Sequence, residues 1–278
     1  MRRLWIVALI LVAMLATACG GTTESGSAAT VEQSPATEAP AASSGEAQTI
    51  SVAGSTTVQP LAEKFAEAYS ARFPNVKIDV QGGGSSTGVK SAGGGTVDIG
   101  AASREIEDSE LQEYPDLKVF VIAYDGIAIT VNPDVPVDGL TLDQVRDIFA
   151  GDITNWKAVG GPDKPIIVVS REEGSGTREV INDYLGHQAE CTLGLKVAME
   201  LGSPEAVKGA VEAGMGVSVV SRATIQKELR LGTLVAINLD PPLDRPFSFV
   251  HQKQKFRLRV MEELLEFARA YCRARGEH

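Results

Sequence analysis

Ser170-Arg171-Glu172-Glu173-Gly174-Ser175-Gly176-Thr177-Arg178 is the stretch whose reading decides the fold. The apolar run before it, Pro165 to Val169, predicts a short buried strand, and Glu179-Val180-Ile181-Asn182-Asp183-Tyr184-Leu185 after it predicts a helix. Strand, small-residue loop and helix together put Ser175 and Thr177 near a helix N-terminus. Unpaired N–H groups and the helix dipole favour negative charge there. Gly174 and Gly176 permit close backbone approach, the hydroxyls donate, and Arg171 or Arg178 offers charge-assisted hydrogen bonds. A plain N-capped helix after a glycine loop explains the same residues, so the rest of the chain has to decide.

Working back towards the N-terminus, the same pattern recurs. Thr49-Ile50-Ser51-Val52-Ala53 alternates as a strand, Gly54 to Pro60 is a loop, and Leu61 to Phe73 has helical spacing. Val76 to Val80 is a second strand, followed by Gln81-Gly82-Gly83-Gly84-Ser85-Ser86-Thr87-Gly88 and a short helix over Val89 to Ala92. Thr96 to Ala101 is a third strand, ending at Ala102-Ser103-Arg104. A helical stretch at Asp108 to Glu113 precedes two strands, Val119 to Ala123 and Ile127 to Val131. In open α/β sheets ligands sit at the carboxyl ends of the strands, and Ser55/Thr56, Ser85/Ser86 and Ser103/Arg104 all fall at that edge. Three such loops, together with Arg171 to Thr177, are hard to attribute to accident.

Beyond Asn132-Pro133 the pattern restarts, with a helix at Leu142 to Phe149, a capped helix at Ser203 to Val211 and a strand at Gly216 to Val220. The chain breaks near Asp240-Pro241-Pro242. A strand at Phe247 to His251 and a long amphipathic helix at Lys255 to Arg273 follow. The fold class expected is α/β with two lobes: residues 48–126 plus 240–278 in one, 127–239 in the other.

The N-terminus carries its own message. Arg2 and Arg3 precede a nearly continuous apolar run, Leu4 to Leu15, and then Ala16-Thr17-Ala18-Cys19-Gly20, so residues 1–18 read as a secretory signal. Cys19 after small residues resembles a bacterial lipobox, with Leu15 one position further from the cysteine than usual. Cleavage at Ala16-Thr17-Ala18 without lipidation is the other reading. Residues 19–47 are Gly, Ser, Thr, Ala, Pro and Glu with almost no large apolar side chain, a flexible tether behind a lipidated Cys19. Cys191 and Cys272 either form a disulfide or remain two buried thiols.

With a net charge of −10, a basic nucleic-acid-binding surface is not expected, and any anion site must work through aimed hydrogen bonds. His187, His251 and His278 lack ligand spacing, so no metal is expected, and no cofactor. The Gly-rich loops lack the Walker lysine. Gly84-Ser85-Ser86-Thr87-Gly88 satisfies the nucleophile-elbow pattern and His251 lies downstream, but a hydrolase leaves the other hydroxyl loops unexplained, so an enzyme is not expected.

Read together, Ala53 to Pro60, Gln81 to Lys90, Val97 to Arg104, Asp125-Gly126-Ile127-Ala128, Asp147 to Trp156 and Arg171 to Arg178 resemble the phosphate-binding proteins of bacterial ABC importers, of the type II periplasmic-binding-protein fold. The resemblance implies two lobes closing on one oxyanion. Thr56, Thr57 and Ser85 would donate from one lobe, with Ser55, Ser86, Ser103 and Arg104 beside them. Arg171, Ser175, Gly176 and Thr177 would act from the other. Some members place an Asp after the third strand to accept the ligand's proton. Here Ser103 stands there beside Arg104, leaving Asp125 as acceptor or as a turn residue. From Met199 onward, Gly202 to Val207, Gly214 to Val217 and Gly232 to Val235 are similar to LysR-type effector-binding domains, and Ser203 is either an N-cap or faces the cleft. The implied protein is monomeric, extracytoplasmic, held to the membrane by its lipid alone, and delivers phosphate to an ABC permease. A tungstate, molybdate or sulfate receptor and a tethered phosphate sensor are the other readings.

Overall fold

A computed structural model describes residues 47–135, 137, 139–188, 195–254 and 259–274. The signal, lipidation and tether readings, and Cys191 with its disulfide reading, lie outside these residues. Cys272 is buried in a hydrophobic cluster.

The strands are β1 (Gln48–Gly54), β2 (Val76–Gly82), β3 (Ile99–Ala102), β4 (Leu117–Val131), β5 (Val169–Arg171), β6 (Met199–Leu201), β7 (Ser218–Ser221), β8 (Val235–Asn238) and β9 (Asp244–Gln252). The helices are α1 (Gln59–Arg72), α2 (Ser85–Gly93), α3 (Asp108–Glu113), α4 (Leu142–Ala150), α5 (Gly176–Gln188), α6 (Pro204–Glu212), α7 (Gln226–Leu231) and α8 (Arg259–Ala274). Seven strands form one sheet in the order β2-β1-β3-β9-β4-β7, with β8 also paired to β4, and β5 pairs with β6 alone. β1 runs parallel to β2 and β3, with Gly54 opposite Gly82 and Ala101, so the loops after all three strands emerge at one edge. This is the mixed α/β architecture expected.

The expected strands Val119–Ala123 and Ile127–Val131 are one strand. Tyr124, Asp125 and Gly126 stay in the ladder because Pro246, Arg245 and Asp244 of β9 lie opposite them. The N-terminal part of β4 pairs with β9, and its C-terminal part pairs with β7 and β8. Hydrophobic clusters follow the same division. Ile50, Val52, Phe65, Tyr69, Phe249 and Leu265 pack in one, and Ile129, Ile148, Phe149, Trp156, Leu185 and Val219 in another.

The strand expected at Pro165–Val169 begins only at Val169, because the preceding residues bond individually to Thr154 and Val217 instead of forming a ladder. Helix α2 starts at Ser85, four residues earlier than expected. Gly84, at φ +90°, turns the chain, and the Gly88 N–H closes the first turn on the Gly84 carbonyl. Ser203 caps α6 by accepting from the Ala206 N–H at 3.1 Å.

A polar anchor holds the loop after β3. Arg104, 4% exposed, donates from both terminal nitrogens to the two oxygens of Glu110 at 2.8 Å, and from Nε to Glu179 of α5. Glu110 also accepts from the Glu107 N–H at 3.0 Å, forming the capping box of α3. Burial alone would raise the Glu110 pKa. The hydrogen bonds from Arg104 and Glu107 and the charges of Arg104 and Lys90 outweigh it and hold the pKa below its ordinary value. Burial likewise opposes the Arg104 charge, while Glu110 and Glu179 raise its pKa. With a folded pKa below the unfolded value of about 4.3, Glu110 stabilises the fold above that pH and loses its contribution as pH falls through the folded value. Glu110→Gln is therefore expected to lower the melting temperature at neutral pH, with the gap to the parent closing below about pH 4 in thermal unfolding. A gap that stays constant with pH would trace the loss to packing.

Candidate functional site

The loops after β1, β2 and β3 meet the N-terminal turn of α5. Ser55 (3% exposed), Thr57 (5%), Ser85 (0%), Ser103 (1%), Arg171 (4%), Ser175 (3%) and Thr177 (3%) are all buried there. The approach is tight enough to demand glycine. A Cβ on Gly176 would lie 2.5 Å from Ser85 Oγ and 2.8 Å from Ser103 Oγ, and one on Gly84 2.7 Å from the Gly174 carbonyl. Ser86 N–H donates to that same carbonyl at 3.3 Å.

The hydroxyls form a chain with a direction. Ser55 Oγ accepts from the N–H groups of Thr57 and Val58 at 3.2 and 3.3 Å and donates to Ser103 Oγ at 2.9 Å. Ser103 Oγ lies 3.3 Å from Ser85 Oγ, which also accepts from the Ser103 N–H at 3.0 Å. Thr57 Oγ1 and Thr177 Oγ1 are 3.4 Å apart, joining the β1 loop to α5. Arg171 donates to Thr56 Oγ1 at 2.6 Å, to the Leu201 carbonyl at 3.2 Å and, through two nitrogens, to both oxygens of Glu172 at 2.7 and 2.8 Å. Glu172 is the more exposed partner, 31% against 4% for its arginine.

Arg245 of β9 was not singled out in the sequence, and it is the most deeply buried cation of the site, 1% exposed. It donates to Asp125 Oδ2 from Nε and Nη2 at 3.2 Å. Its Nη1 donates to Thr177 Oγ1 at 2.8 Å, to the Ser103 carbonyl at 3.0 Å and, at 3.5 Å, to Ser103 Oγ. Burial pushes its pKa down and nearby Arg171 adds to this, while Asp125 opposes both. The signal available in the sequence was a lone arginine entering the apolar run Phe247 to Val250 behind two prolines.

Ser55, Thr56, Thr57, Ser85, Ser103, Arg171, Ser175, Gly176 and Thr177 thus come together. Arg104 and Ser86 stand beside them in a separate network: Ser86 Oγ donates to Glu179 at 2.8 Å and accepts from Arg104 at 3.1 Å. Asp125 faces Arg245 and also accepts from Ser221 Oγ at 2.9 Å and the Ala223 N–H at 3.1 Å, so its oxygens are engaged. Every guanidinium here has a carboxylate partner. Oriented hydroxyls and helix N-termini are therefore the donors of the site that have no counter-charge. Two cavities of about 10 Å³ adjoin Arg171 and Thr177, each with room for about one water. The first is also lined by Ser218, whose buried hydroxyl has no hydrogen-bond partner among the described residues. A cleft of about 620 Å³ opens beside Thr57 and Asp125. Among the described residues no group of three or more His, Cys, Asp or Glu is placed to hold a metal, and no helix is long and apolar enough to cross a membrane.

Comparison with known proteins gives the same picture. A family profile described as a PBP superfamily domain matches residues 35–243. The phosphate-binding protein PstS of Bacillus subtilis is 34% identical over 198 residues, covering 70% of this chain and 64% of that protein, so the chain spans less than two thirds of this relative. A crystal structure from Clostridium perfringens, described as a phosphate ABC transporter substrate-binding protein with bound phosphate, superposes with a TM-score of 0.70 at 34% identity, covering 79% of this chain and 92% of that one. The LysR-like character expected in the C-terminal part appears as shared fold. The regulatory domain of CcmR from Synechocystis, in complex with 2-PG, matches with a TM-score of 0.60 at 20% identity, covering 81% of this chain and 97% of that domain. By its family profile, its sheet order and its likeness to these structures, the chain belongs to the PBP superfamily.

Proposed function

We propose that this protein is an extracytoplasmic receptor that captures inorganic phosphate and delivers it to an ABC importer, without catalysis, held at the membrane by lipidated Cys19. The observation that carries the reading is the convergence of Thr56, Thr57, Ser85, Arg171, Ser175, Gly176 and Thr177 at the N-termini of α1, α2 and α5. The names of the Bacillus and Clostridium relatives support the choice of phosphate. Residues 48–126 with 240–278, and residues 127–239, act as two lobes joined by β4 and by the connection from β8 to β9. The two hydrophobic clusters and the passage of β4 between them support this division. Opening between the lobes admits the anion, and contacts from both lobes favour the closed state.

Calorimetric titration of the anion-stripped protein with phosphate, sulfate, molybdate and tungstate tests the substrate. Phosphate binding at micromolar or tighter affinity supports the reading; preference for molybdate or tungstate overturns it in favour of another oxyanion receptor. Loss of phosphate uptake on deletion of the protein would separate transport from sensing.

Charge-assisted hydrogen bonds contribute about 1.5–3 kcal/mol each, so Arg171→Ala is expected to weaken phosphate binding more than tenfold. Unchanged affinity in the same titration would remove Arg171 from the site. Gly176→Ala is expected to push α5 away from Ser85 and Ser103, lowering both the affinity and, through the clash, the melting temperature. Full affinity in this variant would place the anion away from the start of α5.

A further inference from the structure

We infer that Arg245 is the residue that sets the proton direction of the hydroxyl cluster, and through it the charge state of the anion the site accepts. The inference rests on the phosphate reading above.

A hydroxyl has one proton and two acceptor positions, so an oxygen whose acceptor positions are taken must donate. Ser103 Oγ accepts from Ser55 at 2.9 Å and, at 3.5 Å, shares an Arg245 Nη1 proton with the Ser103 carbonyl, which biases its own proton towards Ser85 Oγ. Ser85 then accepts twice, from the Ser103 hydroxyl and the Ser103 N–H, and its proton points out of the chain. On the α5 side, Arg245 Nη1 fills an acceptor position of Thr177 Oγ1 at 2.8 Å, leaving the Thr177 proton for Thr57 or for a ligand. An arginine cannot accept a hydrogen bond, so neither Thr177 nor Ser103 can turn its hydroxyl proton towards Arg245. Asp125 is held by Arg245, Ser221 and the Ala223 N–H and offers no acceptor of its own. A cluster of donors favours the anion with more charge and fewer protons, here the phosphate dianion over the monoanion.

The charged groups around the cluster are Asp125 on β4, Arg171 and Glu172 at the end of β5, Arg104 after β3, Glu110 on α3 and Glu179 on α5. His251 lies further along β9 and faces the Gln252 carbonyl at 3.1 Å. Arg245→Lys and Thr177→Val keep all of these, and the paired variant replaces Asp125 alone of them, so pH slopes shared by both kinds of variant report the ligand's ionisation near neutrality.

The test is phosphate titration from about pH 6 to about pH 8, with sulfate as a second probe, for the parent, for Arg245→Met combined with Asp125→Asn, for Arg245→Lys and for Thr177→Val. The paired substitution leaves no buried carboxylate without its cation. The expected result is parent affinity that rises at least threefold across this range. In the paired variant, affinity at the upper pH should fall tenfold or more and the rise should flatten. Arg245→Lys should restore part of the affinity, and Thr177→Val should lose several-fold. Affinity within twofold of the parent in the paired variant, or a uniform loss with the pH slope intact, overturns the inference and leaves Arg245 a packing residue. Where the paired variant does not fold, unchanged affinity and slope in Thr177→Val overturn it equally. A parent that binds sulfate but no phosphate removes the phosphate reading, and the Arg245 comparison is then read as retained or lost sulfate affinity. A parent that binds neither removes both.

Discussion

A guanidinium with 1% of its surface exposed must have its charge and its hydrogen bonds satisfied inside the protein, and Arg245 meets this demand by drawing the site together around it. Asp125 stands directly across the β4–β9 ladder from it, at the point where β4 leaves β9 for β7 and β8. The remaining donors of Arg245 reach Ser103 after β3 and Thr177 on α5. One side chain thus touches the crossing strand, the edge of the parallel strands and the helix that follows Arg171. Each of those contacts has an acceptor that would be costly to leave unpaired at this depth.

The second constraint is charge. A chain of net charge −10 offers no long-range attraction to an anion, and Arg104, Arg171 and Arg245 are each already matched by a carboxylate. Beyond the paired arginines, the positive potential at the site comes from dipoles: the first turns of α1, α2 and α5 and the hydroxyls beside them. Dipoles act only at short range, which is why the loops are packed so closely that Gly84 and Gly176 have no room for a Cβ. Glu172 is the loosest member of the set. It holds the fork of Arg171 from a partly exposed position, in the geometry that two oxygens of an oxyanion would take.

Much of this was legible in the chain itself. The alternation of Thr49 to Ala53 and Val76 to Val80, and the small-residue loops after them, identified strands and the edge where they end, because side-chain period and glycine placement are local properties. The stretch Arg171 to Thr177 announced a helix N-terminus beside an arginine, and the structure places it against Ser85 and Ser103. Local signals failed where a partner far along the chain changed the outcome. Gly126 reads as a break, yet β9 carries β4 straight through it; Pro165 to Val168 reads as a strand, yet its neighbours give it isolated bonds in place of a ladder.

The sequence by itself therefore determined the α/β alternation, the common edge of the first three strands and the family of hydroxyl and arginine residues that gather there. It did not determine which cation goes with which acid. Arg245 lies 120 residues from Asp125 and 68 from Thr177, and Arg104 lies 75 from Glu179. Pairings over such distances are set by strand register and by how the loops pack, which are properties of the assembled sheet and helices and leave no periodic trace along the chain.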